Sequence, residues 1–159
     1  MSAIKITGLK VFFPLFLLLI FSCSETSKKR KNNGFEAVEF VVFSKVGGKD
    51  GDYRTVKITQ DSLFLNVGKT LLNRHKQWKA KLSEEQKNML FGCLKVNQLA
   101  FIRSSESKQF KKEWDETFQV KTTKTSYVFV NAYNDADNYN QLKNFKIKLE
   151  KLIPKEYGL

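Results

Sequence analysis

Apolar and polar residues alternate in several short runs along the chain, which is the pattern of strands that bury one face. Turn-forming residues separate these runs: the glycine-rich segment Gly47–Asp52, the pair Asp61-Ser62, Gly68, and Thr122–Thr125. The pattern therefore predicts hairpins joined by short turns. The predicted strands cover residues 35–44, 53–60, 63–67, 77–82, 116–121 and 126–133.

Two other segments have the apolar spacing of helices. Ser83-Glu84-Glu85-Gln86 has the form of a capping box, so a helix is predicted to begin there and to end near residues 97–99. Leu90, Cys93 and Leu94 would lie on one side of it. A second helix is predicted to begin near Asp135 or Asp137 and to end at Pro154, with apolar residues at 142, 145, 149 and 152.

The order strands, helix, strands, helix predicts an α+β fold. We expect an antiparallel sheet of five to six strands, arranged as two hairpin groups, with two helices packed on one face. The chain has 159 residues, and residues 35–159 are enough for one domain with its own core. Residues 1–22 and 23–34 differ from that domain in composition and are predicted to have separate roles.

Residues 1–22 are typical of an export signal. Lys5 and Lys10 precede an apolar run, and the small residue Ser22 precedes Cys23. The apolar run covers about a dozen residues, whereas a helix that spans a bilayer needs roughly 20. We therefore predict cleavage rather than a permanent transmembrane helix, and a polar, basic tether over residues 23–34.

The segment Ile20-Phe21-Ser22-Cys23 resembles the lipobox of bacterial lipoproteins, although Phe21 stands where a smaller residue is usual. The resemblance implies that the Cys23 thiol receives a diacylglyceryl group, that cleavage follows between Ser22 and Cys23, and that a palmitate-type chain is added to the new amine. The Lys-, Asn- and Phe-rich composition is similar to that of Bacteroidota-type lipoproteins. In such lipoproteins, surface display is associated with acidic residues just after the cysteine, whereas here a lone Glu25 is followed by the basic residues 28–31. The resemblance therefore implies a location in the cell envelope, on the outer membrane and facing the periplasm.

The net charge of +12 raises the question of nucleic acid. The cations are scattered, however: Lys76, Lys79 and Lys81 are interpreted as the solvated face of a strand, and residues 143, 146, 148 and 151 as that of a helix. We therefore predict no nucleic-acid partner. The expected partners are the membrane, through the lipid anchor, and an envelope protein or glycan.

Candidate catalytic and metal-binding residues are few. With one histidine and two cysteines, no metal site and no cofactor are predicted, and lipidation of Cys23 would leave Cys93 as a small buried residue. The acidic residues around Trp114 could serve an envelope-polymer hydrolase through Asp115 and Glu116, although solvated acids are the simpler interpretation. Trp78 and Trp114 form a possible ligand platform, with core packing as the alternative.

These observations favour a membrane-anchored, non-enzymatic binding or interaction module. A narrower alternative comes from the stretch Ser44-Lys45-Val46-Gly47-Gly48 between two strands, followed by a capped helix with Leu90 and Leu94. This arrangement is similar to small bacterial metalloprotease inhibitors of the emfourin type, and the similarity implies inhibition of a thermolysin-like protease.

Overall fold

The computed structural model describes residues 36–109 and 113–157, so the predicted signal peptide, the predicted Ser22–Cys23 cleavage site and the predicted 23–34 tether lie outside the described residues. Within these ranges six antiparallel strands form one sheet in the order β4-β3-β2-β1-β5-β6. The predicted α+β fold is confirmed. The strands are β1 Val38–Gly47, β2 Asp52–Thr59, β3 Ser62–Lys69, β4 Arg74–Lys81, β5 Asp115–Thr122 and β6 Ser126–Val130; the helices are α1 Glu84–Phe91, α2 Val96–Leu99 and α3 Asn140–Glu150.

One face of the sheet forms the hydrophobic core. Val41 and Phe43 of β1 and Val56 and Ile58 of β2 are fully buried, while the residues between them are only partly buried or exposed. This alternation is the result of the two-residue period of a strand. Pairing of β1 with β5 joins the two predicted hairpin groups into a single sheet.

The helices cover this buried face. Leu142, Phe145 and Leu149 of α3 and Leu90 of α1 are 0% exposed. The ring of Phe118 in β5 lies 6.4 Å from that of Phe145, edge to face. Aromatic rings therefore fill the space between sheet and helix.

The capping box at the start of α1 is confirmed. The Gln86 amide donates to Ser83 Oγ (3.2 Å), and the Ser83 amide donates to Gln86 Oε1 (2.9 Å). The predicted end of this helix is wrong, because α1 stops at Phe91 and a turn at Gly92 separates it from α2. Glycine destabilises a helix interior, and the turn lets Leu94 enter the core from outside α1.

Several other boundaries also differ from the prediction; β1, for example, covers Val38–Gly47 rather than residues 35–44. β4 begins at Arg74 rather than at residue 77, because its first residues pair with β3 although their side chains are exposed and do not alternate. β6 ends at Val130 rather than at residue 133, because Asn131 adopts a left-handed conformation with φ of 47°. α3 begins at Asn140, after a turn in which Asp135 accepts hydrogen bonds from the amides of Arg103 (2.9 Å) and Asn138 (3.1 Å).

The prediction for the lysines of β4 is correct in part. Lys79 and Lys81 lie on the face away from the helices, but Lys76 shares the side of Trp78. Lys76 is nevertheless exposed, and its partner Val67 in β3 is only partly buried against the core.

We expect Phe118→Ala to lower the free energy of unfolding by about 3–5 kcal/mol, because it leaves a cavity between Phe43 and Phe145. Chemical denaturation followed by circular dichroism measures this change. Val128→Ala on the opposite face, where Val128 is 56% exposed, is the control and should change it by less than about 0.5 kcal/mol. Equal losses in the two variants would contradict the one-sided core.

Candidate functional site

A row of charged groups lies at one end of the helix-covered face, where β2, β1 and β5 meet α3. Arg54 is only 1% exposed and forms a two-bond ion pair with Glu150 of α3 (Nη1–Oε1 2.6 Å, Nη2–Oε2 2.9 Å). Two parallel bonds of this kind fix the relative orientation of both side chains. The Arg54 Nε atom is buried without a hydrogen-bond partner among the described residues.

Glu116 forms the second part of this row. It is 4% exposed; its Oε1 accepts a hydrogen bond from the Tyr139 hydroxyl (2.6 Å), and its Oε2 pairs with Lys146. Burial, and then the bond to Glu116, raise the pKa of Tyr139 well above its usual value. Tyr139 therefore remains a protonated donor at neutral pH.

The strand register explains why these groups meet. Lys45 of β1 pairs with Arg54 on one side and with Glu116 on the other, so the three residues form a row across three strands. Lys146 and Glu150 are four residues apart on α3 and face this row together. The two ion pairs hold α3 in a defined position along the sheet.

A groove of about 590 Å³ lies on the solvent side of the charged row. Tyr133 is 37% and Ile147 48% exposed, and Lys143 forms no ion pair with a described residue. The ammonium group of Lys108 lies 5.4 Å from the Tyr133 ring centroid. The groove therefore combines apolar surface with available positive charge. It is lined by Tyr133, Tyr139, Lys143, Lys146, Ile147 and Glu150.

The structure separates the two carboxylates of the hydrolase hypothesis. Asp115 and Glu116 are consecutive in β5 and bind on opposite sides of the sheet. Asp115 accepts hydrogen bonds from Ser107 Oγ, the Lys108 amide (2.7 Å) and Asn131 Nδ2 (2.8 Å), whereas Glu116 faces α3. The two acids cannot act as a pair on one substrate, and Asp115 instead ties the loop before β5 to the end of β6.

Hydrogen bonding also determines the charge state of Asp115. Burial raises the pKa of its carboxyl group, but the bonds from Lys108, Ser107 and Asn131 together lower it below the usual value. Asp115 is therefore ionised at neutral pH and stabilises the loop as an anion.

The two tryptophans of the predicted platform are not brought together. Trp78 lies in β4, partly buried against the core, with its ring 6.3 Å from that of Tyr157. Trp114 precedes β5, is 36% exposed and lies beside Gly48 of the first turn. Strands β3, β2 and β1 lie between them, which at the usual strand spacing separates them by about 19 Å.

The other predicted residues have local roles. Cys93 is partly buried, and its thiol donates to the Met89 carbonyl (3.3 Å). In residues 36–109 and 113–157 no group of three or more His, Cys, Asp or Glu residues has the arrangement of a metal site. The helices within those ranges are also too short or too polar to span a membrane.

The stretch that resembles emfourin-type inhibitors is part of the sheet. Residues 44–47 belong to β1, and Gly48 begins the turn to β2 with φ of +76°. Leu90 and Leu94 are buried in the core.

Sequence reasoning identified Glu116 but missed the groove around it. Arg54 and Glu150 are 96 residues apart, and Tyr133 and Tyr139 were placed in a predicted strand and a predicted helix. Two features of the sequence could have indicated the charged row. Arg54 occupies a core-facing position of an alternating strand, and Glu116 does the same in β5.

No protein-family model and no curated protein matches the chain.

We expect Asp115→Asn to reduce the free energy of unfolding at pH 7 by about 1–3 kcal/mol, because an amide group cannot replace a carboxylate that accepts three hydrogen bonds. The folded-state pKa of Asp115 lies below its unfolded value. Its stabilising effect is therefore complete above the unfolded pKa and is lost as the pH falls through the folded one. Denaturation curves from pH 7 to pH 2.5 should show the two proteins converging at the acid end, and a constant difference would argue against this role.

Proposed function

We propose that the chain is a bacterial envelope lipoprotein, anchored through lipid on Cys23, whose domain over residues 35–159 is a non-enzymatic binding module. The segment Ile20-Phe21-Ser22-Cys23 supports the anchor, as do the basic and apolar regions before it. The groove beside α3 carries the binding part of the proposal. The location on the outer membrane, facing the periplasm, belongs to the same proposal.

The groove has the composition of an interaction surface. Partly exposed Tyr133 and Ile147 provide apolar contact area beside Lys143, which forms no ion pair within the described part of the chain. Aromatic residues that combine an apolar ring with a polar group are enriched at protein interfaces. A protein segment with an acidic residue next to an apolar side chain would complement this surface.

The walls of the groove are fixed before any partner binds. Glu150 is held by Arg54, and both Tyr139 and Lys146 are held by Glu116. Such preorganisation reduces the entropy lost on binding. It also favours binding over acid catalysis, because Glu116 is only 4% exposed and its carboxylate accepts two hydrogen bonds within the protein.

The anchor predicts a specific modified terminus. Protein purified from its own membranes and digested should give an acylated peptide that begins at Cys23, because lipidation and cleavage both act at this residue. Mass spectrometry measures the peptide, and Cys23→Ala is the control that should abolish the modification. A mature chain that retains Met1 or carries an unmodified Cys23 would refute the anchor.

The groove predicts where an envelope partner is crosslinked. A photoreactive residue at position 147 should form a crosslink to a partner protein in intact cells, whereas one at the exposed position 128 on the opposite face should not. Lys143→Glu should weaken the crosslink at 147 at least several-fold by reversing the charge beside the groove, and Lys151→Glu, which lies outside the groove just after the end of α3, should not. Crosslinking of equal strength at 147 and 128 would exclude the groove as the binding surface.

A further inference from the structure

A second depression, distinct from the groove, lies between α2 and the first turns of α3. It has a volume of about 450 Å³, which is within the range of small-ligand sites. Amide side chains dominate its lining. The residues that matter for its chemistry are Gln98, Phe101, Asn138, Asn140, Gln141 and Asn144.

The walls of this amide cleft are anchored in the core. Leu99 of α2 and Leu142 of α3 are both 0% exposed. The Lys95 amide donates to Gln141 Oε1 (2.8 Å), which links the two walls directly. The side chains that face the opening are therefore carried on backbone that does not need to rearrange.

The amide groups are available to a ligand. The side chains of Gln98, Asn140 and Asn144 make no hydrogen bond to any described residue. Each of these amides offers both a donor and an acceptor. A row of such groups complements a ligand whose own groups both donate and accept, which is the property of a sugar hydroxyl.

Phe101 adds an apolar surface to the same cleft. Its side chain is 64% exposed, although the transfer of a phenyl ring out of water is favourable. The face of a pyranose ring consists largely of C–H groups and stacks on such an aromatic side chain. Amide groups beside an exposed aromatic ring therefore fit a saccharide better than an apolar molecule.

The charge of the cleft further restricts the ligand. Lys95 and Asp137 are the charged residues in its lining, and they balance each other. An anionic ligand would gain no net attraction. An apolar ligand would bury the amides without hydrogen-bond partners, which is unfavourable. From this combination we infer that the amide cleft is a binding site for a neutral oligosaccharide.

The inference is tested by saturation-transfer NMR on the full chain, in a detergent without a sugar headgroup. The probes are neutral hexasaccharides of glucose (α-1,4 and β-1,4) and of N-acetylglucosamine, with an oligogalacturonate as the anionic comparison. We expect transfer to at least one neutral probe, and an affinity for it about tenfold lower in Phe101→Ala. Gln98→Ala and Asn144→Ala test the amides separately and should also weaken binding.

Two controls separate this site from the rest of the molecule. Phe64→Ala removes a phenyl ring that is 36% exposed on the opposite face of the sheet, and it should leave the affinity unchanged. Tyr133→Ala alters the groove of the proposed function and should also have no effect, so that the two sites succeed or fail independently. Absence of transfer to every neutral probe, tighter binding of the anionic one, or equal losses in Phe101→Ala and Phe64→Ala would overturn the inference.

Discussion

The packing of α3 against one face of the sheet is the contact on which the rest of the structure depends. Leu142, Phe145 and Leu149 are fully buried in the same core cluster as the inward side chains of the strands. A single antiparallel sheet must bury one face to be stable, and a helix with a continuous apolar stripe can pack on that face and remove both apolar surfaces from water. Because the stripe uses only one side of α3, its remaining sides form the groove and the amide cleft.

The ion pairs around Arg54 and Glu116 give this packing a defined position. Apolar contacts alone would allow α3 to slide or rotate by small amounts with little change in buried area. A buried arginine without its carboxylate is strongly unfavourable, so the pair with Glu150 excludes such alternatives. The charged row therefore contributes more to the orientation of α3 than to the net free energy of folding, since desolvation opposes the attraction between the charges.

The sequence contained enough information for the fold class because the signals of strands and helix starts are local. Ser83 and Gln86 define a helix start within four residues, and alternation in β1, β2 and β5 defines which face is buried. The beginning of β4 was not predictable from alternation, because an edge strand with exposed side chains has no alternating burial.

The sites were less predictable than the fold because they depend on contacts between distant parts of the chain. Asp115 and Glu116 were identified as adjacent acids, but their separation onto opposite faces follows from the two-residue period once β5 is a strand. The prediction that Trp78 and Trp114 form one platform was wrong for a related reason. The order of the strands, which composition does not determine, places the two residues far apart. Gln98 and Asn144 likewise become neighbours only after α2 and α3 pack.

The two edges of the sheet restrict how another chain can attach. The outer edge strand β4 carries Arg74, Lys76, Lys79 and Lys81, so a second copy aligned along it would meet like charges. At the other edge, β6 is five residues long, and the Val130 amide and carbonyl already bond to Ser104 Oγ (3.0 Å) and to the Ser105 amide (2.8 Å). Both edges therefore disfavour strand addition and edge-to-edge aggregation. Partners are left to bind through side-chain surfaces, and many copies can be crowded together without polymerising through their sheets.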